Sequence, residues 1–245
     1  MVQTVELLAG ILAGALALVH ILGERLRFLR AVPRSRWLSA AGGVSVAYVF
    51  IHLLPELNRA QEAVQGLFGG GILSEQHVYL LALAGLVLFY SLERVARLSR
   101  RAEADDVDAP GAGVFWLHIV SYGVYNALIG YLLLHRNGVD VQGMLLFAFA
   151  MGVHFLVNDH GLREHHQGDY DRIGRWLLAG AVLLGWAAGA LVMLPEGMVG
   201  ALLAFIAGGV VLNVLKEELP EERKSRLWAF VIGAAAYSAL LLVTT

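Results

Sequence analysis

The sequence predicts an all-α integral membrane protein, one transmembrane domain over residues 1–245 that crosses the bilayer about eight times. Three observations predict it. Of 245 residues, 58% are apolar and 16% charged, whereas soluble domains carry about 25% charged residues. The apolar residues form runs long enough to span hydrocarbon as helices, about 20 residues each. The basic residues alternate between the ends of those runs.

The runs place helices near 4–23, 37–58, 77–96, 109–135, 141–165, 173–194, 197–218 and 225–244. Residues 59–76, with Gly69-Gly70-Gly71, read as a short amphipathic connection, and Pro195-Glu196-Gly197 as a very tight turn. With the N-terminus outside, the odd-numbered connections are cytoplasmic. They carry Arg25, Arg27, Arg30, Arg34 and Arg36, then Arg94, Arg97, Arg100 and Arg101, then Arg163, Arg172 and Arg175, then Lys216, Arg223, Lys224 and Arg226. Of the 18 basic residues only Arg59 and Arg136 fall on the other side. Basic residues are retained in the cytoplasm during insertion, so the pattern predicts a multi-pass protein of the cell membrane with both termini non-cytoplasmic. Glu6 is the one charge before the first run, and the basic residues follow it. A cleavable signal peptide has the opposite order, so a retained first helix is expected.

A net charge of −2 gives nucleic-acid binding no electrostatic basis. The absence of cysteine removes disulfides, thiolate zinc sites and iron–sulfur clusters. Gly10 with Gly14, and Gly185 with Gly189, have the spacing that lets helices approach closely in lipid, although glycine is also simply common in these helices.

Two segments repeat. Ala41-Gly42-Gly43-Val44 precedes Leu54-Pro55-Glu56 on the second helix, and Ala207-Gly208-Gly209-Val210 precedes Leu219-Pro220-Glu221 on the seventh, with spacings one residue apart. The second helix runs outward and the seventh inward, so the repeat is inverted, a frequent plan of secondary transporters. Chance similarity between two glycine-rich apolar segments is the competing reading.

Ionisable residues inside a membrane are costly and mark function. The fourth helix carries His118, Ser121, Tyr122, Tyr125 and Asn126; the fifth carries His154, Asn158, Asp159 and His160. His118 shares a helix face with Tyr122, and His154 with Asn158. The two helices are antiparallel neighbours, which puts both imidazoles at similar depth. Neutral imidazole with oxygen donors suits zinc and neighbouring transition metals, giving a candidate metal set of His118, His154, Asn158, Tyr122 and Asp159. The alternative is that these histidines bridge helices by hydrogen bonds. His20, near the end of the first helix, reads as interfacial and structural. His52 and Glu56 at the outer end of the second helix are a candidate entrance for cations, or a helix-end cap. His160, His165 and His166, among Asp159, Glu164, Asp169 and Asp171, are a candidate exit. Glu217, Glu218, Glu221 and Glu222 beside Lys216, Arg223 and Lys224 read as a solvated charge cluster.

At these residues the chain resembles the ZIP family of divalent-metal transporters. The resemblance rests on eight helices with outside termini, polar motifs on the fourth and fifth helices, His52-Leu-Leu-Pro55-Glu56 and Leu219-Pro220-Glu221. It implies a 3+2+3 arrangement with an inverted repeat. In the family the fourth helix reads His-Asn-x-x-Glu/Asp-Gly; here His118 and Gly123 match, while Ile119 and Tyr122 stand for the Asn and the acid. The fifth reads His-Glu-x-Pro-Glu-Gly; here His154 matches, while Phe155, Val157 and Asn158 replace Glu, Pro and Glu. The sixth has no acid between Arg175 and Pro195. The usual carboxylate-bridged pair of metals therefore cannot form, and a depleted single site remains.

The function expected is transport of a divalent transition metal, zinc first, as substrate rather than resident cofactor. Its partners are the ion and the lipid bilayer, with a homodimer left open. No phosphate-binding loop is present, and no enzymatic activity is expected. Two alternatives stand beside it: an intramembrane zinc-dependent hydrolase using His118, His154, His160 and Asp159, and a non-transporting relative that binds metal or lipid.

Overall fold

The computed structural model describes residues 2–23, 36–68, 76–105, 112–135, 141–218 and 226–244. Among them the chain is helical apart from short turns, with no strand. The helices are α1 (Val2–Leu22), α2 (Arg36–Tyr48), α3 (Leu54–Phe68), α4 (His77–Asp105), α5 (Ala112–His135), α6 (Val141–Asp169), α7 (Arg175–Leu191), α8 (Glu196–Glu218) and α9 (Leu227–Thr244). π-helical turns over Val49–Leu53 and Tyr170–Gly174 join α2 to α3 and α6 to α7. Among the described residues, seven stretches are long and apolar enough to cross a membrane, and Leu227–Val243 is a shorter apolar helix. Leu83 and Val87 on α4, Leu184 on α7, and Ile232 and Leu242 on α9 are all exposed. Water-facing surfaces do not gather such residues over whole helices; lipid accepts them. The fold is that of a multi-pass helical membrane protein.

The second predicted helix does not stop near 58. It continues through the π turn and Pro55 to Phe68. Proline has no N–H and ordinarily breaks a helix. Here the Leu54 N–H reaches back to the Val49 carbonyl, five residues away. That wider turn absorbs the missing donor and lets the helix pass Pro55. The half-buried Gln61 on α3, expected in a connection, accepts a hydrogen bond from the Val78 N–H at the start of α4 (3.2 Å). Gly69-Gly70-Gly71 lies outside the described residues. So do Arg25, Arg27, Arg30, Arg34, Arg136, the Leu219-Pro220-Glu221 motif, and Glu222, Arg223 and Lys224 of the charge cluster.

The loop expected over 166–172 is helical as well. The chain still reverses there, as its neighbours show. α5 meets α6 in the opposite sense, His118 beside His166 and Tyr125 beside His154. It meets α7 in the same sense, Phe115 and Ile119 near Gly174, Ala127 near Gly185, and Tyr131 near Gly189. Farther along, the Tyr131 hydroxyl closes the α7–α8 turn, donating to the Val192 carbonyl (3.1 Å) and accepting from the Leu194 N–H (3.0 Å).

Glycine pairs set the closest crossings. A Cβ on Gly43 of α2 would overlap the Phe230 carbonyl and the Ala234 nitrogen of α9, and one on Gly233 would overlap the Ala40 carbonyl. α4 and α8 cross by the same construction: Gly208 over the Ala82 carbonyl and Leu86 nitrogen, Gly85 over the Phe205 carbonyl. α5 and α7 use it a third time through Gly130 and Gly185. Of the two spaced pairs in the sequence, Gly185 and Gly189 both face α5 and Gly10 faces Trp186, but Gly14 meets nothing within 4 Å.

The helices sort into two groups. α1, α5, α6 and α7 pack on one another, and α2, α3, α4, α8 and α9 do likewise. Between the groups, α6 touches α2, and α5 touches α4 and α8.

Candidate functional site

A small cleft with polar groups on a largely apolar wall opens where these groups meet, with about 30 Å³ accessible to the centre of a water-sized sphere. α5 contributes His118, Ser121, Tyr122 and Tyr125; α6 contributes His154 and Asn158; α4 contributes Glu93 and α8 Asn213, with Phe89, Leu92, Gly209 and Leu212 as apolar wall. The four-residue spacing of His118 with Tyr122, and of His154 with Asn158, carries each pair to one face. Both faces turn into this cleft, away from the lipid.

His154 is 4% exposed. Its Nε2 lies 3.1 Å from the Tyr125 hydroxyl and 3.1 Å from Asn158 Nδ2. Asn213 Nδ2 donates to Asn158 Oδ1, which turns the Asn158 amide nitrogen toward the ring. An amide N–H only donates, so with the Asn158 amide in this orientation Nε2 would accept and the ring proton would sit on Nδ1. The lone pair that a metal would use thus points at the cleft, under two hydrogen bonds that a metal would have to displace.

His118 is held differently. Its Nδ1 is 2.7 Å from His166 Nε2, one of the pair carrying the shared proton. The His118 ring meets Tyr122 edge-on with centroids 6.3 Å apart. A metal at His118 would be taken by Nε2, with His166 orienting the ring as second partners do in metal sites. The Ser121 hydroxyl donates to the Leu117 carbonyl (2.6 Å) and belongs to its own helix.

Asp159 stands apart from this cleft. Its Oδ1 is 2.8 Å from His20 Nδ1, and His20 Nε2 is 3.0 Å from Asn126 Nδ2. Asn158 and Asp159 are consecutive on α6, as are Tyr125 and Asn126 on α5. On a helix, consecutive residues diverge, so one of each pair lines the cleft and the other faces α1. His20 is therefore buried against the protein (1% exposed). His160 is half-buried and does not line the cleft. The His165 side chain lies outside the described residues, and His166 joins the site through His118. His52 and Glu56 are not at a helix end, because α3 extends beyond them. They are buried, 7% and 6% exposed, and pair at 3.7 Å across the π turn, with the His52 ring 5.4 Å from Tyr48.

Among the described residues, no three His, Asp or Glu side chains converge as a ready-made metal cluster. The cleft offers two imidazoles, neutral amides and phenols, and one carboxylate, Glu93. Glu93 and Asn213 carried weak signals in the sequence. Asn213 is a polar residue inside an apolar run, and Glu93 sits next to Arg94 at a helix end.

Compared with known protein families and with curated proteins, the chain matches none.

Proposed function

We propose that this chain transports a divalent transition metal across a cell membrane, with His118 and His154 binding the ion together with Asn158 and Tyr122. The observation that carries the reading is the cleft itself, in which two imidazoles from antiparallel helices share one space inside the bundle with two amides, two phenols and a carboxylate. Polar groups that merely bridge two helices need no cavity. The position of the cleft between two helix groups suits transport, since a shift of one group against the other would open it to either side in turn.

Within this proposal the eight helices follow the 3+2+3 plan of ZIP-like proteins. The glycine crossings support an inverted repeat. One displacement along the sequence relates Ala40 to Phe205, Gly43 to Gly208 and Pro55 to Pro220; another relates Ala82, Gly85 and Leu86 to Phe230, Gly233 and Ala234. The α2–α9 crossing thus maps onto the α8–α4 crossing contact by contact. In that register Gly43 pairs with Gly208, one residue away from the alignment of the two Ala-Gly-Gly-Val segments. No observation favours the hydrolase, because Asp159 and His160 do not line the cleft.

Purified protein in liposomes is expected to carry zinc down its gradient without nucleotide, giving a rate several-fold above empty liposomes. No flux from well-folded protein would sink the proposal. Topology has its own test. Single cysteines at Asn137 should react with impermeant reagent from outside, and at Ala102 only after the membrane is opened. The reverse pattern would overturn the proposed orientation.

A further inference from the structure

A second polar centre lies on the α1 side of α5 and α6, back to back with the cleft. Asn126, His20 and Asp159, each 1% exposed, are hydrogen-bonded in a row. Farther along, Arg163 Nε donates to Asp171 Oδ1 at 2.7 Å, where the Asp171 side chain is 30% exposed. Between these pairs, three buried polar atoms meet no hydrogen-bond geometry with any partner among the described residues: Asp159 Oδ2, Arg163 Nη2 and the Tyr170 hydroxyl.

The three are close together. The Arg163 guanidinium stacks 5.1 Å from the centre of the Tyr170 ring. The Tyr170 hydroxyl lies beside the Asp159 carboxylate and interacts with it. Gly23, just past the end of α1, lies beside two of these atoms. From the position a Cβ would take there, Asp159 Oδ2 is 3.7 Å and Arg163 Nη2 3.9 Å away. One carboxylate oxygen, one guanidinium N–H and one hydroxyl are the two to four partners a buried water requires.

We propose that a bound water joins Asp159, Arg163 and Tyr170 beside Gly23. It completes a polar chain from Asn126 in the bundle interior, through His20 and Asp159, to Arg163 and Asp171. Such a chain gives the buried His20 imidazole contact with the surface without opening the cleft. The site is independent of metal binding.

Radiolytic hydroxyl labelling of the full chain in lipid nanodiscs tests this, because radicals generated from a bound water attack the aromatic ring beside it. Tyr170 is 0% exposed and Phe147 2% exposed. With the water present, Tyr170 should be modified on the order of tenfold faster than Phe147. Gly23→Leu, which fills the space, should bring Tyr170 down to the Phe147 rate while leaving the exposed Tyr79 unchanged. Equal rates at Tyr170 and Phe147 in the parent would overturn the proposal. So would a folded Gly23→Leu variant that leaves Tyr170 as reactive as before. If that variant does not fold, the parent ratio decides alone.

Discussion

His118→Ala and His154→Ala are each expected to abolish transition-metal binding by the purified protein, measured by titration calorimetry. Mutating partners one step removed from a metal costs about 10- to 100-fold in affinity, and a direct nitrogen ligand should cost at least that much. The margin is small here because the cleft holds a single carboxylate, Glu93, to offset the charge of the ion. With two imidazoles as the strong donors, either deletion leaves only one. His154→Ala also removes the acceptor of the Tyr125 and Asn158 hydrogen bonds, so folding must be checked beside it. Ser121→Ala is the matched control on the same wall, expected to bind like the parent because its hydroxyl is spent on the Leu117 carbonyl. If both histidine variants bind metal like the parent, the cleft is not the site. If the parent binds none, the imidazoles serve as hydrogen-bonding links between helices, and the non-transporting reading takes over.

Much of this site was legible in the sequence because helical periodicity is local. Four-residue spacing places His118 with Tyr122, and His154 with Asn158, whatever surrounds them. Partners across helices follow no such rule. Asp159 sits one residue from Asn158 and was grouped with it by proximity along the chain. A step of one residue turns about 100° around a helix, so Asp159 faces α1 and pairs with His20. Glu93 and Asn213 reach the cleft only because α4 and α8 close it, a tertiary fact that the weak signals in their local sequence do not specify. Helix ends were misread for a related reason. Pro55 and the polar run at 166–172 look like breaks by composition, but a π turn lets the helix run past Pro55, and a helical segment ending in another carries the reversal.

The glycine crossings yield the largest stability effects. Gly43→Ala places a methyl group against the Phe230 carbonyl and the Ala234 nitrogen. Those are backbone atoms of a neighbouring helix and cannot rotate aside as a side chain would. α2 and α9 must move apart, which loses packing along the whole crossing, and overfilling a packed interface costs about 1–3 kcal/mol. In lipid this packing is itself the main attraction between helices, so the upper part of that range is expected. Gly208→Ala should cost about the same, since it meets the Ala82 carbonyl and the Leu86 nitrogen in the same way. Gly14→Ala makes the identical chemical change where nothing lies within 4 Å, and should be neutral or stabilising by about 0.5–1 kcal/mol through reduced chain entropy. Denaturant unfolding of the three variants in detergent, followed by tryptophan fluorescence, orders them against the parent. The repeat adds a stricter demand. If the α2–α9 and α4–α8 crossings are copies of one interface, Gly43→Ala and Gly208→Ala should lower the unfolding midpoint together. One falling sharply while the other stays at the parent value would show that the matching contacts do not bear equal load.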